Sequence, residues 1–246
     1  MIMRARASLH GFRQIGPLMT LWFLLDTLLG YLTRARILAL IVHEADALAA
    51  LDPMLPAGFT ADVRTPDAMG NLSAACAAEL RQDFLDEASN TGDRCIAILE
   101  DDRVVSFQWL SGGLTRAYDD IWIGFGPRYL NGYNSFTAPS HRGKHLNRSG
   151  VVLAAQMLAV PNGKGLAGFI RASNRKSLLA HSRVSPNFPG IVLVWPYGRQ
   201  GLHVYVSPAG RYTGVKLVRR PAPGASTVAA ARVPASIPKT AGNLQR

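Results

Sequence analysis

Apolar and polar positions divide the 246 residues into distinct regimes. From Ile15 to Leu32 the chain is almost continuously apolar, interrupted by Asp26 and bracketed by Arg13 on one side and Arg34 and Arg36 on the other. The length, near the ~20 residues that cross a bilayer, predicts an N-terminal apolar helix. Gly30-Tyr31-Leu32-Thr33-Arg34 supplies no small-residue cleavage site, so a signal peptide is disfavoured. A spanning helix would hold Asp26 near the bilayer centre at a cost of roughly 2.5–3.5 kcal/mol. A helix packed on the domain, or lying on a membrane face, avoids that cost because Asp26 is free to face water.

From residue 57 the pattern becomes that of an α/β domain. Phe59–Arg64 alternates like a half-buried strand, and Thr65-Pro66-Asp67 reads as a helix start: a capping hydroxyl, a proline at the first turn, and an acid at the positive dipole end. That helix is expected to reach about Ala88. Arg94–Glu100 and Val104–Leu110, joined by Asp101-Asp102, predict an antiparallel hairpin. Strands are predicted at Ile121–Phe125 and Arg128–Thr137, then a helix from Gly143 to Val160, stopped by Pro161-Asn162-Gly163. A strand at Leu166–Arg171, a helix from Asn174 to Arg183, and strands near Ile191–Trp195, Leu202–Val206 and Val215–Val218 complete the series. This order predicts an α/β (α+β) fold, a mixed sheet with crossover helices. Residues 1–56 are read as the apolar helix and a lead-in strand, 57–220 as the domain, and 221–246 as a disordered Pro/Ala-rich tail.

Charge changes little in this picture. The formal net charge is +11, of which residues 1–36 carry +4 and residues 221–246 carry +3, leaving the middle mildly basic. With no nucleic-acid motif beside it, this distribution gives no reason to expect a nucleic-acid partner. Cys76 and Cys95 have neither disulfide-framework nor zinc spacing, which suits a reducing, cytoplasmic compartment. Cys95 sits in the apolar run Cys95–Leu99 and reads as a small core residue.

Chemistry concentrates in Tyr133–Leu146, where a strand, a Pro-containing turn and the basic loop His141-Arg142-Gly143-Lys144-His145-Leu146 precede a helix. Free amides at a helix N-terminus, with Arg142 and Lys144 nearby, suit a phosphate or pyrophosphate. The stretch resembles the coenzyme-A loop of the GNAT N-acetyltransferase superfamily: Arg or Gln, two residues, Gly, one residue, then Gly or Ala. Arg142 matches the first position, and Gly143 and Lys144 match the common pair after it. His145 stands where the family has glycine, and Asn147 where it has Gly or Ala. Phe136-Thr137-Ala138-Pro139 looks like the family's central strand and turn. Downstream, Asn174 and Ser177 match the Asn, two residues, Ala or Ser pattern, and His181 falls where a tyrosine often serves as general acid toward the departing thiolate. A histidine of ordinary pKa can donate a proton near neutrality.

The resemblance covers roughly residues 57–195. It implies a GNAT-like mixed, mostly antiparallel sheet flanked by helices, and transfer of an acetyl group from acetyl-CoA to an amine by direct attack. It implies cofactor contacts from Phe136, Thr137, Arg142, Gly143, Lys144, His145, Leu146, Asn147, Asn174 and Ser177, with His181 as the catalytic residue. The general base stays open among Glu100, Asp119, Asp120 and a water relay, and candidate acceptor loops are Ser111–Asp120 and Ser185–Gly190. Two alternatives stand beside this reading: a longer-chain acyltransferase acting at the membrane through peripheral contact of the N-terminal helix, and a non-catalytic GNAT-fold binding module. Other motifs are set aside. Gly163–Gly168 spells a dinucleotide fingerprint but runs from helix into strand, the reverse of the required context. His141 and His145 lack a third ligand, so no metal is expected, and His43-Glu44 lacks the second histidine of a zinc-protease helix.

Overall fold

A computed structural model describes residues 2–69, 72–118, 121–158, 163–184, 187–197 and 201–219, with side chains from Pro17 onward except those of Tyr118 and Tyr197. The expected tail at 221–246, together with Asp119 and Asp120, lies outside the described residues. The elements in order are α1 (Ile2–Leu32), β1 (Arg36–Glu44), α2 (Ala45–Ala49), β2 (Phe59–Arg64), α3 (Ala74–Glu79), α4 (Gln82–Thr91), β3 (Arg94–Glu100) and β4 (Arg103–Ser111). They continue with β5 (Thr115–Tyr118), β6 (Ile121–Gly124), β7 (Tyr129–Thr137), α5 (Leu146–Met157), β8 (Gly165–Arg171), α6 (Arg175–Ser182), β9 (Gly190–Tyr197), β10 (Gly201–Val206) and β11 (Lys216–Arg219).

The fold is mixed α/β: a large, mostly antiparallel sheet flanked by helices. Eight strands lie in the order β10-β9-β1-β8-β7-β4-β3-β2, and β11-β6-β5 form a separate small sheet. Alternation decides which face each element covers. On β3, Ile96 packs with Val151, Val152 and Leu166 beneath α5, whereas its neighbours Cys95 and Ala97 pack with Cys76 of α3 and Phe84 of α4. On β8, Ile170 joins Leu178 of α6 and Met19 of α1, whereas Phe169 joins Ile121 and Ile123 of the small sheet. Helices α1, α5 and α6 therefore share one face, and α3, α4 and the small sheet share the other.

The hairpin turn is built as its sequence suggests. Asp101 and Asp102 both take positive φ, 48° and 61°, the backbone that a tight two-residue turn between twisted strands requires. The helix expected from Thr65 is instead divided into a single 3-10 turn at Pro66–Ala68, then α3 and α4, and the Thr65 side chain makes no capping bond. Helix α5 begins three residues later than expected, because Gly143 and His145 both have positive φ (86° and 62°), which a right-handed helix cannot contain. The lead-in strand β1 is not outside the sheet: it lies in its middle, antiparallel to β8 on one side and β9 on the other.

The expected apolar N-terminal helix needs correction. A helix does occupy Ile2–Leu32, but no helix among the described residues is long and apolar enough to cross a membrane. Asp26 does not face water. It is fully buried, accepting hydrogen bonds from the Ile37 amide at 2.7 Å and the Ser173 amide at 3.1 Å, and pairing with Arg171 Nε at 3.0 Å. A carboxylate with this many donors is tolerable out of water. It fastens α1 to the start of β1 and the end of β8, while Trp22, Leu25 and Leu29 pack on Ile37, Ala172 and Ile191.

Candidate functional site

Among the described residues, β7 and β8 are the only parallel neighbours in the large sheet, and their pairing is short: Tyr129 with Gly165 through Gly132 with Gly168. Beyond that step β7 pairs only with β4, and β8 only with β1. The strands fork. An extra residue in β7 helps to open the fork: Phe107 faces Phe136 and Trp109 faces Tyr133, so two steps on β4 span three on β7, and Asn134 in the bulge has φ 41°.

A cavity of about 240 Å³ occupies the fork. Its walls include Tyr133, Asn134 and Ser135 from β7, Gly168–Arg171 from β8, Ile41 and His43 from β1, and Asn174, Ser177 and His181 from the α6 region. Gln108, which is 6% exposed, reaches the lining from β4, and its Oε1 has no hydrogen-bond partner. The Asn174 side chain also caps α6, its Oδ1 accepting from the Ser177 amide at 3.3 Å.

His43 and His181 meet at the cavity wall, with Nε2 of His43 3.1 Å from Nδ1 of His181 and the rings stacked 5.4 Å apart. Nδ1 of His43 is buried without a partner. Burial, and then the neighbouring imidazole, hold His43 down to about pKa 3; burial alone brings His181 to about 4. Both rings are neutral at pH 7. On the opposite face of the sheet, where its ring packs in the core beneath α3 and α4, Tyr133 donates from its hydroxyl to the carboxylate of Asp93. Burial raises Asp93 above the usual carboxylate range, and burial together with Asp93 raises Tyr133.

The basic loop lies past the end of β7. His141 Nε2 is 2.7 Å and Lys144 Nζ 3.3 Å from the two oxygens of Glu100, and the His141 hydrogen bond is the main reason Glu100 is held below the usual carboxylate range. Arg142 is exposed, donates from Nε to the Thr137 carbonyl at 3.3 Å, and lies 6.0 Å from the centre of the Phe136 ring. A side chain at Gly143 would meet nothing within 4 Å. The first helical bond of α5 runs from the Ser149 amide to the His145 carbonyl, so the amides of Leu146, Asn147 and Arg148 precede the helical ladder.

Of the residues singled out by sequence, Asn174, Ser177 and His181 line the cavity, whereas Phe136, Thr137 and Arg142–Asn147 do not. Thr137 exchanges a hydrogen bond with Ser106 at 2.8 Å, and the Phe136 carbonyl accepts from the same hydroxyl. Leu146 is core, packed with Ile98 and Val105, so only its backbone is available to a ligand. Asn147 carries a buried side-chain oxygen without a partner. Glu100 belongs to the loop, not to the cavity. Ser111–Asp120 is not an open loop, since it contains β5; in the second candidate loop, Ser185 and Pro186 lie outside the described residues. No cluster of metal-binding side chains is found among the described residues. Sequence reasoning missed His43 and Gln108. The signal for His43 was a titratable side chain closing the apolar run Ile37–Val42.

No protein-family model matches the chain, and no curated protein matches it. Solved structures similar to it include the following two. One is a Drosophila protein determined by X-ray crystallography as a structural-genomics target, at 13% identity and TM-score 0.44, covering 70% of this chain and 50% of that one. The other is a functionally unknown conserved protein from Staphylococcus epidermidis, at 11% identity and TM-score 0.37, covering 76% of this chain and 63% of that one. The chain thus spans half to under two thirds of the length of these neighbours.

Proposed function

We propose that this chain is an acyl-CoA-dependent N-acetyltransferase of GNAT type, taking the acyl arm of acetyl-CoA into the fork between β7 and β8. The observation that carries the reading is the fork itself: parallel pairing that stops at Gly132 and Gly168, and a cavity walled by Asn174, Ser177 and His181. Strand edges freed by the fork offer amides and carbonyls to the amide groups of a pantetheine arm. At the loop, the open space at Gly143, the exposed Arg142 and the first amides of α5 suit a pyrophosphate, and His145 supplies the left-handed backbone expected of a glycine. Glu100 opposes this by occupying Lys144 and His141.

In the reaction, the nitrogen of a neutral amine adds to the thioester carbonyl carbon. The carbon–sulfur bond then breaks, the amide forms, and the amine's proton ends on the coenzyme sulfur. The role of His181 changes from the one the family position implies. With a pKa of about 4, about one molecule in a thousand carries the imidazolium at pH 7, so His181 acts as a neutral hydrogen-bond donor and not as the proton source. A neutral donor still stabilises charge developing on the thioester.

A second reading, acyl transfer at a membrane surface, rests on α1, where Leu18, Leu21, Leu24, Leu28 and Leu32 are all exposed at helical spacing. Calorimetry with acetyl-CoA and a longer acyl-CoA tests both. Binding with turnover of an amine supports the enzyme; binding with no turnover across an amine library replaces it with the binding module; no binding to any acyl-CoA overturns the acyltransferase reading.

A further inference from the structure

The histidine pair fixes more than the position of two rings. Between Nε2 of His43 and Nδ1 of His181 there is one hydrogen bond and, at neutrality, one proton. Two arrangements satisfy it. In one, His181 donates from Nδ1 to His43; the remaining hydrogen of His43 then sits on Nδ1, a buried N–H with no acceptor. In the other, His43 donates from Nε2, and its buried Nδ1 keeps only a lone pair. Orphaned buried N–H groups are rarer than under-used acceptors, so the second arrangement is favoured.

We propose that His43 is a positioning residue: it donates from Nε2 to Nδ1 of His181 and commits His181 to the tautomer whose Nε2–H opens on the cavity. Among the described residues, Nε2 of His181 has no protein hydrogen-bond partner, and the ring lines the cavity wall. The cavity therefore presents a fixed donor, matched to an acceptor such as a carbonyl or thioester oxygen and mismatched to a second N–H. A base at this position is excluded by the same bond, since the tautomer leaves no lone pair facing the ligand. The partner comes from a strand far from α6 in sequence and adjacent only through the sheet: β1 pairs with β8, which leads into α6. The catalytic consequence rests on the acyl-transfer reading, while the tautomer itself does not.

The protein of 246 residues labelled with 15N-histidine, studied by long-range 1H–15N correlation at pH 7, reads the tautomers directly. Expected for the wild type is a protonated Nε2 and a bare Nδ1 on both His43 and His181. A protonated Nδ1 on His181 overturns the proposal without any variant having to fold. His43→Leu should leave His181 averaging between tautomers, and His43→Gln, whose amide can donate, should restore the Nε2–H form. In amine acetylation, His43→Leu should lower kcat about tenfold with KM for acetyl-CoA little changed, and His43→Gln should recover most of it. A shifted tautomer with unchanged kcat removes the positioning role. If the protein binds no acyl-CoA, the acyl-transfer reading fails, and the spectra still decide the tautomer.

Discussion

Gly132 and Gly168 face each other at the last paired step before the fork, and a Cβ at 168 would lie 2.9 Å from the Gly132 carbonyl oxygen. Backbone cannot move aside there as a flexible side chain would. Gly168→Val should therefore displace the two strands at the cavity's apex. Under the acyl-CoA reading, the affinity for acetyl-CoA should fall at least about tenfold, alongside a loss of about 1–3 kcal/mol in denaturant stability. Unchanged affinity by calorimetry would separate the fork from the coenzyme site.

Asp26 and Arg171 should differ sharply in their importance to stability. Asp26→Ala strands the buried Ile37 amide and leaves Ser173 without its acceptor, so urea unfolding should show a loss of about 2–4 kcal/mol. Arg171→Met removes a partner whose side chain is 44% exposed, and the loss should stay below about 1 kcal/mol. Equal losses would assign the anchoring to the ion pair and not to the amides.

The histidine pair gives stability a defined pH dependence. His43 and His181 titrate at about 3 and about 4 in the folded chain against an ordinary 6.5, so the unfolded chain binds more protons between those values. Their contribution is complete above pH 6.5 and is lost as pH falls toward 4 and below. Asp93, raised by burial, has the opposite sign: its contribution is lost as pH rises above the ordinary carboxylate value. Comparing thermal melts at pH 7 and pH 4.5, His181→Gln should show a drop in Tm smaller than that of the wild type by about 2–4 °C or more. Identical drops would mean that His181 titrates normally.

Glu100 competes with an anion for Lys144 and His141. Under the acyl-CoA reading, Glu100→Gln should tighten acetyl-CoA binding by about threefold to tenfold at low salt, and the advantage should shrink at high salt. Weaker binding on substitution would show instead that Glu100 holds the loop in its binding conformation.

The leucines on α1 make the membrane reading measurable. The protein should co-float with anionic phospholipid vesicles, and Leu21→Ser combined with Leu28→Ser should abolish this without lowering Tm, because both side chains are about half exposed or more. Absence of co-flotation in the unaltered protein ends that reading.

Local features were legible in the sequence wherever a few neighbouring residues decide the backbone. Asp101-Asp102 announced the hairpin, and Asn174 announced the start of α6. The features that escaped depend on partners distant along the chain. A packed or peripheral helix was expected to let Asp26 face water; its donors Ile37, Arg171 and Ser173 lie 11 to 147 residues away and reach it only after folding. His43 carried no motif, and its contact with His181 appears only when β1 enters the sheet beside β8. At the loop, the residue types suggested an anion site, but the neutralising carboxylate of Glu100 comes from another strand.

The placement of β1 also has a consequence for how the chain reaches this state. Leu38 must find Arg171 on one side and Val192 on the other, so both of its edges wait for segments synthesised much later. Closing loops of that size precedes any reward from pairing, which makes sheet completion a slow, late event in folding. Until then β1, with its continuous apolar run Ile37–Val42, is unpaired on both sides, the condition under which edge-to-edge aggregation competes. Production at low temperature and low protein concentration should therefore improve the folded yield more than it changes the stability of the finished molecule.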